Sequence, residues 1–153
     1  MSVESHAVYV GAMGWQHASW HGPFYPDDLP DDWSLAYYNT QFRAVFLPYC
    51  DWSAATDAQL AQWAQDCQAG FRFVLESGPS ASAAERAAEV LGERLGALTS
   101  RDDPRLLWFD AGTDLKALRS EIDRHDKPLY LFSRDADLSA LQRALTLVEL
   151  MGW

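Results

Sequence analysis

Five short apolar runs alternate along the chain with five stretches of helical period, and this alternation predicts βα units built on a parallel sheet. The runs are Val8–Ala12, Ala44–Tyr49, Arg72–Glu76, Arg105–Asp110 and Pro128–Ser133. Val45, Phe46 and Leu47, or Leu106 to Phe109, leave no polar alternation, as suits strands covered on both faces. Between them, Thr56-Asp57-Ala58-Gln59 reads as a capping box that opens a helix burying Leu60, Trp63, Ala64 and Cys67, with Gly70 after its end. Ser82-Ala83-Ala84-Glu85 repeats the device, and Ala84, Ala87, Ala88, Leu91, Leu95 and Leu98 then recur at helical spacing. A fourth helix starts at Thr113 and buries Leu115, Leu118 and Ile122; a fifth starts near Asp137 and buries Leu138, Leu141, Leu145 and Val148. The first connection differs, because Gly22-Pro23-Phe24-Tyr25-Pro26-Asp27-Asp28-Leu29-Pro30 concentrates turn formers and predicts a long ordered loop. No internal repeat, low-complexity tract or linker divides residues 1–153, which read as one α/β domain.

Composition narrows the class. A domain of this size buries about 68–70% of its unfolded surface, enough for a core without staples. The chain is 48% hydrophobic, an ordinary globular value, and no apolar run reaches the ~18 residues of a membrane-spanning helix. Its formal net charge of -10, with only 12 scattered basic residues, argues against nucleic acid and anionic membranes as partners. The opening Met1-Ser2-Val3-Glu4-Ser5-His6 does not read as a secretory leader, and a cytoplasmic location is expected. Cys50 and Cys67 form no Cys-x-x-Cys motif and read as free thiols.

One stretch carries a family likeness. Tyr9-Val10-Gly11-Ala12-Met13-Gly14-Trp15, then Trp20-His21-Gly22-Pro23-Phe24-Tyr25-Pro26, resembles the opening of YecE-like proteins (domain of unknown function 72), approximately Y-I-G-T-S-G-W, a spacer and W-x-G-x-F-Y-P. Leu29-Pro30, Tyr37-Tyr38, Phe42 and Gly70-Phe71-Arg72-Phe73 extend the likeness to about Ser77. The resemblance implies a TIM-barrel-like fold of unknown biochemical role, whose first three strands this half supplies. A closed barrel takes eight units and about 250 residues. About five units are legible here, so the barrel is expected to be incomplete, either open or with its missing wall supplied by something else. Where the family carries V-E-I-N this chain has Val45-Phe46-Leu47-Pro48, and where the family ends F-x-V-K it has Phe73-Val74-Leu75-Glu76. Three polar positions near the family's barrel mouth are thus neutralised or reversed.

In parallel α/β folds function gathers at the carboxyl ends of the strands. That rule selects Trp15, His17, Trp20 and His21 after the first strand, Cys50 and Asp51 after the second, Glu76 after the third, Asp110 after the fourth, and Arg134 and Asp135 after the fifth. Two imidazoles and four carboxylates have the chemistry of a mixed metal site, but they lack an ordered ligand motif, so no tight metal site and no cofactor is expected. Each also has a structural reading: Asp51 and Asp135 as helix caps or first-turn charges, Asp110 as a turn residue, His17 and His21 as loop anchors. The aromatic group that includes Trp15, Trp20 and Tyr25 suits a sugar or base, and equally suits packing a long loop onto the barrel end. Walker, G-x-G-x-x-G, G-x-S-x-G and H-E-x-x-H motifs are absent. Two functions stay open: a binding or interaction module with an aromatic and acidic mouth for a small polar ligand, and an acid/base or metal-assisted enzyme on a small polar or sugar-like substrate. In an enzyme, His17 or His21 should lie within hydrogen-bond reach of Asp51, Glu76 or Asp110. Gly11 and Gly14 are expected to bracket a tight turn that brings Trp15 over the mouth. Unpaired sheet edges and the apolar end Leu147-Val148-Glu149-Leu150-Met151-Gly152-Trp153 predict a homodimer.

Overall fold

The computed structural model describes residues 8–152; the readings made above for residues 1–6 and for Trp153 lie outside them. Six parallel strands form one sheet in the order β4-β3-β2-β1-β6-β5, with β1 Val8–Met13, β2 Ala44–Leu47, β3 Arg72–Glu76, β4 Leu95–Thr99, β5 Leu106–Phe109 and β6 Leu129–Ser133. The helices are α1 Ser34–Gln41, α2 Tyr49–Ser53, α3 Asp57–Asp66, α4 Ala81–Leu91, α5 Leu115–Arg124 and α6 Leu138–Met151. The sheet curls into a half-barrel with the helices on its convex side. Within it the first strand pairs with the last, Val8 opposite Leu129 through Ala12 opposite Ser133.

Strands covered on both faces are what the continuous apolar runs demand. Val10, Val45, Phe73 and Leu131 face the helix layer, while Tyr9, Phe46, Val74, Trp108 and Phe132 form a second cluster inside the curl. Phe46 is fully buried there, 5.1 Å from Trp108 and 5.8 Å from Phe132 between ring centroids. The interior is therefore a packed core and leaves no channel.

The α3 capping box forms as the sequence dictates, Thr56 and Gln59 exchanging side-chain to backbone hydrogen bonds. Two other starts differ: Ser80 rather than Ser82 caps α4, accepting from the Ala83 N–H, and Asp114 caps α5. The larger difference is a sixth strand. Leu95 and Leu98 belong to β4, because α4 ends at Leu91 and Gly92 adopts a φ of 57° that a helix cannot continue through. Gly11 also differs from expectation. It lies within β1 and bounds no turn, whereas Gly14 has a φ of 76° just past the strand.

β4 and β5 are the end strands, parallel to one another with no helix between them. The segment Ser100–Arg105 must therefore run from the carboxyl end of β4 back to the amino end of β5. Extended chain gives those few residues a reach of ~20 Å, about the length of a five-residue strand. This strap is pinned along its length: Thr99 donates to Asp103 (2.7 Å), Arg105 donates to both Asp103 oxygens (3.0 and 2.8 Å), and the Trp108 indole donates to the Arg101 carbonyl (2.8 Å). Hydrogen bonds from Arg105 hold the Asp103 carboxyl well below the usual carboxylate range, with Thr99 adding to the effect.

Candidate functional site

The loop after β1 is fixed by its aromatic residues. The Trp20 indole is buried and donates to the carbonyl of Ala136, a residue held at a φ of 57° (2.8 Å). Tyr25 is buried and donates its hydroxyl to the Trp15 carbonyl; burial pushes that phenol's pKa up, so it stays protonated. Tyr38 stacks on Trp20 at 6.1 Å and its hydroxyl bridges β1 and β2, accepting from Ala12 N–H and donating to Ala44 O. Trp20 and Tyr25 thus pack the loop onto the barrel end.

What this loop leaves open is a pocket of about 460 Å³ beside the barrel axis. Its walls are residues 13–17, the β2 end at Leu47 and Pro48, Asp51 on α2 and Trp63 on α3. Trp15 and Trp63 meet edge to face at 5.1 Å, and the half-buried Trp63 indole turns toward the pocket. His17 packs on Trp20 at 4.4 Å, its Nε2 about 4.0 Å from where a side chain on Gly14 would begin. That nitrogen is buried and has no hydrogen-bond partner among the described residues.

The barrel axis itself is closed. The Arg101 guanidinium lies 5.6 Å over the Phe46 ring and donates to Glu76 at 2.6 Å. Glu76 also accepts from the Tyr49 N–H, and its carbonyl accepts from the Trp52 indole. The Arg101 hydrogen bond, aided by Tyr49, lowers the Glu76 pKa. Phe46 and Glu76 thus form a plug and its latch.

The remaining selected residues fall elsewhere. Asp110 accepts from the Gly112 N–H and the Thr113 hydroxyl in its own turn, with Arg134 at 3.8 Å. Asp135 accepts from Ala111, Asp137 and Ser133, which together lower its pKa although its partial burial opposes them. His21 is exposed and stands 5.9 Å from the Tyr25 ring. Among the described residues neither His17 nor His21 hydrogen-bonds a carboxylate, and no three metal-ligating side chains gather. Cys50 is exposed and Cys67 buried, both free, with burial pushing the Cys67 thiol up to about 12. Trp63, Ser34 and Arg101 were not among the residues selected from sequence. Trp63 carries the helical spacing of a core position, and Arg101 follows a strand that the helical period conceals.

Comparison with known proteins agrees with this architecture. The family model "Protein of unknown function DUF72" matches residues 9–101, more than half of the chain. The structure resembles that of a DUF72 family protein from Thermotoga maritima with a TM-score of 0.63, over 93% of this chain and 99% of that one, at 16% identity. A likeness at that identity speaks for the fold alone. No curated protein matches.

Proposed function

The chain belongs to the DUF72 family, and we propose that this member is a binding module for a small polar ligand, held beside the plugged barrel axis in the pocket between the ends of β1 and β2. The observation that carries the reading is that His17, which lines the pocket, has a buried Nε2 with no partner among the described residues. An unsatisfied buried polar atom costs about 1–3 kcal/mol, which a ligand hydroxyl or N–H would relieve. Asp51 adds an acceptor, and Trp15 and Trp63 add flat apolar walls. No Lys or Arg lines the pocket, which favours neutral or cationic ligands over phosphates. Among the described residues neither His17 nor His21 hydrogen-bonds a carboxylate, which supports binding over acid/base catalysis. The alternative, an acid/base enzyme on the same ligand, draws support from His17 and Asp51 lining one pocket.

The experiment is NMR of the histidine ring resonances during titration with a library of small polar fragments. Fragments are expected to shift His17, to lose affinity in His17→Phe, and to be recovered unchanged after prolonged incubation. A library that leaves the His17 ring untouched would sink the reading, and conversion of a bound fragment would replace it with the enzyme.

We also propose that two copies of the chain pair. This rests on Leu150, 79% exposed, beside an apolar groove formed with Leu115 and Leu147, and on the unfilled outer edges of β4 and β5. Nucleic acid and membranes are not proposed partners: the net charge is -10, and no helix among the described residues is long and apolar enough to cross a membrane.

A further inference from the structure

The polar cleft at the end of β1 continues past the pocket just described. A second pocket of about 230 Å³ lies beside His17, and the two share His17 and Gln16 as a common wall. Its lining is polar: His21, Asp31 and Ser34, beside the ring of Tyr25. Ser34 opens α1 and is only 4% exposed, yet its hydroxyl bonds to no described residue. Two residues whose polar atoms bond to no described residue, His17 and Ser34, therefore line adjoining pockets that share Gln16 and His17 as their partition.

Resting on the binding reading above, we propose that the second pocket is a subsite of the first and that the ligand is an extended neutral carbohydrate, with one sugar unit in each. The two pockets together fall within the roughly 300–1,000 Å³ of small-molecule sites. Their polar groups are of mixed character, as sugar hydroxyls require: Asp31 and Asp51 accept, Ser34 both donates and accepts, and His17 does either according to its tautomer. An aromatic face lies along the cleft, that of the half-buried Trp63 in the first pocket, against which the C–H face of a sugar packs, with the buried Trp15 and Tyr25 behind the lining. Trp33, the residue before Ser34, is 61% exposed and offers a further stacking face. Neither pocket is lined by Lys or Arg, so phosphorylated or acidic ligands find no counter-charge. A protonated polyamine would be drawn by Asp31 and Asp51, but it has no acceptor for the Ser34 hydroxyl proton.

The test is calorimetric titration of the full chain with glucose, mannose and N-acetylglucosamine, their di- and trisaccharides, and spermidine as the cationic comparison. A disaccharide is expected to bind about tenfold more tightly than its monosaccharide. Ser34→Ala is expected to weaken the disaccharide about fivefold, the loss of one hydrogen bond, and to leave the monosaccharide unchanged. The variant removes a hydroxyl that bonds to no described residue, so it should fold as the parent does. Asp51→Asn should weaken both sugars. Should Asp51→Asn act while Ser34→Ala leaves the disaccharide untouched, the subsite falls and the mouth pocket stands. Should only spermidine bind, or no saccharide at about 10 mM, the carbohydrate assignment is overturned, and the response of His17 to other polar fragments then decides the mouth pocket on its own.

Discussion

A methyl group added to Gly11 would sit 1.8 Å from the Ala44 carbonyl oxygen and 2.8 Å from the Tyr38 hydroxyl. Both neighbours are fixed, because that hydroxyl is bonded between Ala12 and Ala44, at 2.8 and 2.7 Å, and cannot retreat without breaking the join between β1 and β2. Burial also pushes the Tyr38 pKa up, keeping the proton that it donates to Ala44. Gly11→Ala is therefore expected to cost about 3 kcal/mol or more, the upper end of overpacking in a filled core, or to prevent folding. Urea unfolding at neutral pH measures it, and a loss below about 1 kcal/mol would mean that β1 and β2 can part more easily than this geometry allows. In a sequence, a glycine needed for close approach looks the same as one needed for a turn, since each is only a missing side chain. That is why Gly11 reads as a turn residue although it lies inside a strand.

At the scale of the element, the strap depends on Asp103. Its pKa is depressed in the folded state, so its contribution is fully present above the ordinary Asp value of about 3.9 and is lost as pH falls toward the lower folded value. Asp103→Asn is expected to cost about 1–2 kcal/mol at pH 7, the worth of a partly exposed charge-assisted pair, with the deficit narrowing below about pH 4. Urea unfolding at both pH values checks this, and a deficit that stays constant would exclude the ionised carboxylate as its source. Five of the six strands are legible because their apolar runs stand between turn formers. β4 is not, since Leu91, Leu95 and Leu98 carry the helical period straight across the break at Gly92. The site is legible to the same degree. Trp15, His17 and Asp51 follow from locating strand ends, whereas Ser34 announces itself only when it is seen to line the second pocket, and Trp63 only when its helix is seen to reach the mouth.

At the scale of the whole molecule, the half-barrel stays open while the strap and the interior aromatics fill its curl: Tyr130 reaches across to within 2.6 Å of where a side chain on Gly96 of β4 would begin, and the strap runs between the end strands. Pairing of two copies then has to use what remains exposed, chiefly the Leu150 end of α6. Light scattering at micromolar concentration is expected to give twice the 17.2 kDa chain mass and Leu150→Glu to return it to the single value. A parent chain already running as a monomer would refute the pairing. The ladder between β1 and β6 has one further consequence, which concerns time. The two strands are neighbours within the sheet but lie far apart along the chain, so the ribosome releases β1 long before its partner exists. Until residues 129–133 emerge, one edge of β1 offers unpaired N–H and C=O groups to whatever strand passes, and the nascent chain is most open to mispairing at the place where the finished protein is most deeply covered.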